Sequence, residues 1–174
     1  MGYRRAAECP SFPRMTIQVG DRIPSIVIKQ AATGTAGVDV DPSTLFAGKK
    51  VVMFSLPGAF TPTCSAKHLP GYLARHDELK AKGVDLIACL SVNDGWVMQA
   101  WADANGVGDK IVMLADGAGA FTRALGIERD LQAMGLRARR GLFTIEDNVV
   151  KSVELEEPGK FDVSSADACM LRVS

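Results

Sequence analysis

Apolar positions along this chain gather into short runs, and longer amphipathic stretches lie between them. Val51-Val52-Met53-Phe54-Ser55-Leu56 is closed by Pro57-Gly58 and predicts a buried strand. Residues 84–92 are almost continuously apolar, the mark of a central strand covered on both faces. Residues 111–114 predict another buried strand and 26–28 a short one, while Gly34, Gly37 and Pro42 mark loops around Val38-Asp39-Val40. A helical pattern follows Cys64 to Gly83 and should be kinked at Pro70. A second helix runs from an Asn93 or Asp94 cap through Trp96, Val97, Ala100 and Trp101 to Asn105-Gly106, with a short one around 121–125. Residues 142–145 and 149–153 flank Asp147-Asn148, a hairpin signal, and Ser164 or Ser165 opens a last helix over 166–171. The order implies a three-layer α/β/α sandwich around a central mixed β-sheet. No internal repeat or linker divides it.

Composition narrows the functional classes. The chain has 174 residues, 47% hydrophobic and 23% charged, which suits one compact domain. Its 20 basic and 20 acidic side chains cancel, so it lacks the positive excess that nucleic-acid binding needs. No apolar run approaches the roughly 20 residues of a membrane helix. Cys9, Cys64, Cys89 and Cys169 form no C-x-x-C pair, and with only His68 and His76 beside them no metal site is expected. A domain of this size builds a core without disulfides, which points to a reducing, cytoplasmic setting. Residues 1–14 read as an appendage to a domain over 15–174. Arg4, Arg5 and Arg14 make the appendage basic, Pro10 and Pro13 oppose a long helix, and without an apolar core it is no secretory signal. It is either a mitochondrial or other organelle-targeting segment or residues upstream of a start at Met15.

The candidate chemistry centres on Cys64. Thr61 is expected as N-cap and Pro62 as first helical residue, which puts Cys64 at the third position. Amides there have no intrahelical acceptor, and together with the helix dipole they favour an anion; the thiolate is the reactive form of cysteine. A cysteine at a helix start directly after a central strand is the layout of the thioredoxin-like fold. Here the tetrad is Thr61-Pro62-Thr63-Cys64, so disulfide exchange within the motif is impossible. One nucleophilic sulfur beside a hydroxyl points to a small electrophile. Cys89, inside an apolar strand, reads as a buried small hydrophobe. His68, one turn after Cys64, could in principle be its base and is read instead as orienting the helix. Trp96, Met98 and Trp101 read as core or dimer surface. The basic run 137–140 would, on composition alone, be a solvated loop.

The stretch 54–65, followed by Lys67-His68-Leu69-Pro70-Gly71, resembles the P-x-x-x-T-x-x-C loop of the peroxiredoxin family, in its peroxiredoxin 5-like (type II, atypical) branch. Ala88-Cys89-Leu90-Ser91-Val92-Asn93-Asp94 and Leu114-Ala115-Asp116 resemble that branch as well. The resemblance implies a thiol peroxidase that reduces hydrogen peroxide and alkyl hydroperoxides in antioxidant defence and redox homeostasis, usually as a homodimer. Cys64 would be its peroxidatic cysteine, with Pro57 and Thr61 in the same loop. The branch has an arginine before an aromatic residue at the start of a late strand; Arg140 takes that place although Gly141 replaces the aromatic, and Arg139 is the register alternative. No metal, haem or flavin is implied as cofactor. The branch's resolving cysteine would fall near Ser165, where no thiol stands, so an external reductant is expected: glutathione with or without glutaredoxin first, thioredoxin second. The rivals are a thioredoxin-dependent two-cysteine cycle using Cys169, a redox sensor or chaperone, and a noncatalytic binding module.

Overall fold

The computed structural model describes residues 15–173; the expected appendage over 1–14, with Cys9, lies outside the described residues. Seven strands form one mixed sheet. In chain order they are β1 (Ile28–Gln30), β2 (Val38–Val40), β3 (Lys50–Ser55), β4 (Leu86–Ser91), β5 (Val112–Ala115), β8 (Gly141–Glu146) and β9 (Val149–Leu155). Their spatial order is β2-β1-β5-β4-β3-β8-β9. The β3–β4 and β4–β5 pairs are parallel and the others antiparallel. A separate ribbon pairs β6 (Glu128–Asp130) with β7 (Leu136–Ala138). The expected α/β layering on a mixed sheet is therefore what forms.

Alternation along the central strands produces two cores, because successive side chains point to opposite faces. Val52 and Phe54 of β3, Ile87 and Cys89 of β4 and Met113 of β5 face one side. There they meet Tyr72 of α2 (Leu69–Ala74), Leu79 of α3 (His76–Ala81), Trp101 of α4 (Gly95–Ala104) and Cys169 of α6 (Ala166–Arg172). Val51 and Met53, Ala88 and Leu90, and Leu114 face the other side, under Phe46 at the end of α1 (Pro42–Leu45) and Phe121 of α5 (Ala120–Ala124). Coverage of both faces is why residues 84–92 carry so little alternation.

Local signals explain several boundaries. Asp94 caps α4 by accepting from the Val97 N–H at 2.9 Å, and Ser165 caps α6 by accepting from Ala168 at 3.1 Å. Asp147 and Asn148 both take positive φ, 45° and 65°, the conformation of a tight two-residue hairpin. Gly95 is required by close approach: a Cβ there would lie 2.0 Å from the Ala36 carbonyl oxygen in the β1–β2 connection. Gly95→Ala should therefore cost roughly 1–3 kcal/mol by overpacking, read as a drop in the urea midpoint.

Three expectations are corrected. The first strand is shifted to Ile28–Gln30, and Val38-Asp39-Val40, expected among loops, pairs with it as β2. The helix after Cys64 is not one rod kinked at Pro70. A π-helical turn, Cys64–His68, in which the Leu69 N–H reaches the Cys64 carbonyl, precedes α2, and α3 follows a break at Arg75. Proline has no N–H and crowds the carbonyl four residues back, and the wide turn ahead of Pro70 relieves that crowding. Finally, the run 137–140 is no free loop, since β7 takes in Arg137 and Ala138.

Candidate active site

Strand β3 delivers the chain to Leu56, and residues 57–61 then turn it into the helix. Phe60 in this turn has φ 60°, in the left-handed region, and its side chain is 59% exposed. The Thr61 carbonyl accepts the first helical bond, from Ser65 N–H at 3.0 Å, so the amides of Thr63 and Cys64 stand ahead of the ladder. Thr61 begins the helix as expected, but its hydroxyl does not cap it. Its Oγ1 donates to the Gly58 carbonyl at 2.8 Å. The backbone of the turn claims the proton, which leaves the oxygen's lone pairs to face a ligand.

Cys64 is fully buried, and Arg140 Nη2 donates toward its sulfur at 3.3 Å. Residue 140, just before β8, is held through backbone bonds to itself and its neighbour. The Arg139 N–H reaches the Ile127 carbonyl at 2.8 Å, the Ser55 hydroxyl donates to the Arg139 carbonyl at 2.6 Å, and the Glu156 N–H donates to the Arg140 carbonyl at 2.9 Å. Of the two register alternatives, Arg140 stands at the sulfur, and the side chain of Arg139 instead lines a neighbouring groove. Glycine at 141 has a spatial reason, because a Cβ would lie 2.6 Å from Leu155 Cδ2 and 2.9 Å from the Glu154 carbonyl oxygen. The aromatic ring against Arg140 belongs to Phe161, whose centroid is 5.7 Å from the guanidinium carbon. Pro57 lines the groove with Thr63 and Arg140.

The other hydrogen of the fork goes to His68: Arg140 Nη1 donates to His68 Nδ1 at 2.8 Å. His68 Nε2 lies 3.0 Å from the Ser164 carbonyl, which only accepts, so the ring proton sits on Nε2 and the Nδ1 lone pair is free for Arg140. Burial first, and the Arg140 charge second, hold the His68 pKa down at about 3. His68 is thus a neutral imidazole whose lone pair is taken, which rules out a base toward Cys64. It aims the arginine. The same Ser164 carbonyl receives the Tyr72 hydroxyl at 2.9 Å. Glu156 Oε1 fixes this loop by accepting from the Asp162 N–H, the Ser164 N–H and the Ser164 hydroxyl. Burial pushes the Glu156 pKa up, these hydrogen bonds more than offset it, and the carboxyl ends below its ordinary value.

His68 leaves a measurable trace in stability. Above pH 6.5 it is neutral whether the chain is folded or not. Between pH 6.5 and about 3 the unfolded chain takes up a proton that the native ring refuses, so stability falls as pH falls. From pH 6.5 to about 5, before the carboxylates enter, unfolding free energy should drop by up to about 1.4 kcal/mol per pH unit. Urea midpoints across that window should show it, and His68→Gln should flatten the slope; an equal slope in both proteins would contradict the buried neutral ring.

The remaining cysteines are placed differently. Cys89 lies within β4 and Cys169 within α6, both buried and free. Burial raises the Cys89 thiol well above its ordinary pKa and pushes Cys169 up to about 11. Met98 and Trp101 are core, with Trp101 Nε1 donating to the Ser65 hydroxyl at 3.0 Å, whereas Trp96 is 56% exposed. Sequence reasoning missed Glu156, Phe161 and the Arg140 contact of His68. Phe161 and Glu156 follow β9 in a loop without periodicity, and no local signal marks them.

With this geometry in hand, the likeness to known proteins is informative. A family model described as Redoxin matches residues 18–170. "Peroxiredoxin-2E, chloroplastic" of Arabidopsis thaliana is 46% identical over 157 residues, covering 87% of this chain and 67% of that protein. "Peroxiredoxin-2F, mitochondrial" of the same plant is 39% identical over 155 residues, covering 84% and 77%. Among solved structures, reduced Prx3 from Vibrio vulnificus in complex with H2O2 superposes with a TM-score of 0.87 at 46% identity, covering 91% of this chain and all of that one.

Proposed function

The chain belongs to the Redoxin family and is a peroxiredoxin, a thiol peroxidase, and from that premise we propose that Cys64 is the peroxidatic sulfur, served by Thr61, Arg140 and Pro57. The observation that carries the assignment is the 3.3 Å approach of Arg140 Nη2 to Cys64 Sγ. The Cys64 thiolate attacks the near oxygen of the hydroperoxide. An S–O bond forms as the O–O bond breaks, sulfur gives up two electrons to become the sulfenic acid, and the departing alkoxide or hydroxide takes a proton from water. Negative charge therefore passes from sulfur to the leaving oxygen, and a guanidinium with two fixed donors can follow it. Thr61 Oγ1, its own proton given to Gly58, accepts the peroxide O–H and sets the oxygen in line. The Thr63 and Cys64 amides complete the polar cradle, and Pro57 walls the site. This chemistry asks for no metal, haem or flavin.

The substrate is a peroxide and the reductant a thiol. The finer reading is an external thiol, glutathione with or without glutaredoxin, ahead of thioredoxin. It is supported by the burial and raised pKa of Cys89 and Cys169, which keep both away from the thiolate form that attacks a sulfenic acid. A homodimer is supported by exposed Phe60, Trp96 and Met134, each within a few residues of the bonds made by Asn93 and Arg137. Asn93 Oδ1 accepts from the Ala59 N–H, and Arg137 donates to the carbonyls of Val92 and Met134. The compartment proposed is the cytoplasm. Among the described residues no helix is long and apolar enough to cross a membrane. The rival is an organelle, as the names of the plant relatives suggest for those proteins, with residues 1–14 as the address. Peroxide consumption run in parallel with glutathione, glutaredoxin plus glutathione, and thioredoxin tests the function. Failure of all three would leave the sensor or binding-module readings standing.

A further inference from the structure

A groove of about 300 Å³ opens beside the active site, walled by Pro57, Thr63 and Arg140 at the Cys64 end. Its outer part carries Arg129 from β6, Arg139 from the β7–β8 junction, and Glu157 and Lys160 from the loop after β9. Among the described residues these four side chains make no hydrogen bond or ion pair. Charges elsewhere on the surface behave differently: Lys29 pairs with Asp39, Arg75 with Glu78 and Asp167, and Arg172 with Glu154. Glu156, which also lines the groove, has one carboxylate oxygen occupied by the loop it holds. Three free cations and one free carboxylate thus surround a depression that ends within one guanidinium of the sulfur.

We propose that this groove docks a small anionic thiol of the glutathione class, its carboxylates taken by Arg129, Arg139 and Lys160 and its ammonium by Glu157. The proposal rests on the external-thiol reading above. The volume is at the lower end for small-molecule sites, sized for a tripeptide. Carboxylates are matched by guanidinium forks and by a lysine point charge. Cys64 is buried and does not itself line the groove, so attack requires the first helical turn to open after oxidation and bring the sulfenic sulfur to a thiol held beside Arg140. The thiol sulfur attacks the sulfenic sulfur, an S–S bond forms as the S–OH bond breaks, and the hydroxyl leaves with the thiol proton as water. A second thiol then attacks the mixed disulfide, returning the Cys64 thiol and releasing the oxidised dimer of the reductant.

The test measures KM for glutathione and for glutathione diethyl ester, whose carboxylates are masked, at fixed hydrogen peroxide. The wild-type chain should show a KM about tenfold higher for the ester, and in the Arg129→Ala/Lys160→Ala double variant the two values should converge. The glutathione KM should also rise with ionic strength, as pairing between accessible charges is screened. Lys151→Ala, far along β9, should keep the wild-type ratio. If the wild-type enzyme makes no distinction between thiol and ester, or the double variant keeps it, the groove is not the thiol site, while the external-thiol reading survives. If neither thiol supports turnover and thioredoxin does, that reading itself falls. If the double variant instead raises KM for a carboxylate-bearing hydroperoxide and leaves the thiol ratio intact, the groove admits the oxidant and the proposal is overturned.

Discussion

Arg140→Lys is expected to lower the rate of Cys64 oxidation by hydrogen peroxide by roughly a hundredfold, the usual cost of one lost preorganised donor. Lysine keeps the charge but has a single compact head on a flexible stem. It cannot hold His68 Nδ1 and Cys64 Sγ together, as the two arms of the guanidinium do at 2.8 and 3.3 Å. The backbone bonds that pin residues 139 and 140 are untouched by the change, so the urea midpoint should move far less than the rate. Stopped-flow measurement of the oxidation step separates this from any effect on thiol reduction. A near-wild-type rate in Arg140→Lys, with the loss appearing in Arg139→Lys, would move the role one residue back along the chain.

Cys64→Ser should abolish peroxide consumption with every reductant, since a hydroxyl oxygen cannot take up the oxidising equivalent that sulfur does. Cys89→Ala and Cys169→Ala should retain glutathione-supported turnover while losing modest stability, because each empties a small buried volume. Mass spectrometry after one equivalent of peroxide decides between the cycles. A Cys64–Cys169 disulfide, with thioredoxin-supported activity lost in Cys169→Ala, would falsify the external-thiol reading in favour of the two-cysteine cycle.

The strands β3, β4, β5, β8 and β9 are legible in the sequence because their apolar runs are long enough to outweigh turn residues, and the Cys64 loop because its residue types are dictated by chemistry. What escapes reading is what depends on distant partners. Strand β2 is three residues with aspartate at its centre, and the β6–β7 ribbon carries Glu128, Arg129, Asp130 and Arg137, so neither has a periodic pattern to betray it. The π-turn arises because Pro70 acts backward on the preceding carbonyls, which marks the disturbance but not its place. Thr61 as a helix cap is a sound local inference, yet its hydroxyl donates to the Gly58 carbonyl and accepts from none of the first-turn amides. The arginine is legible by resemblance and not from its own surroundings, and its partner His68 lies 72 positions away. No local rule joins those two.

The complete burial of the Cys64 sulfur has a consequence for how its redox state is surveyed. Hydrogen peroxide is scarcely larger than water, whereas thiol-labelling reagents such as maleimides are several times its size. A labelling reagent of that size reports how often the first helical turn swings open, not how readily the sulfur meets an oxidant. In a proteome-wide thiol survey this protein would thus score as inert or already oxidised while fully reduced and active. Labelling after denaturation, compared with labelling of the native protein, would expose the discrepancy.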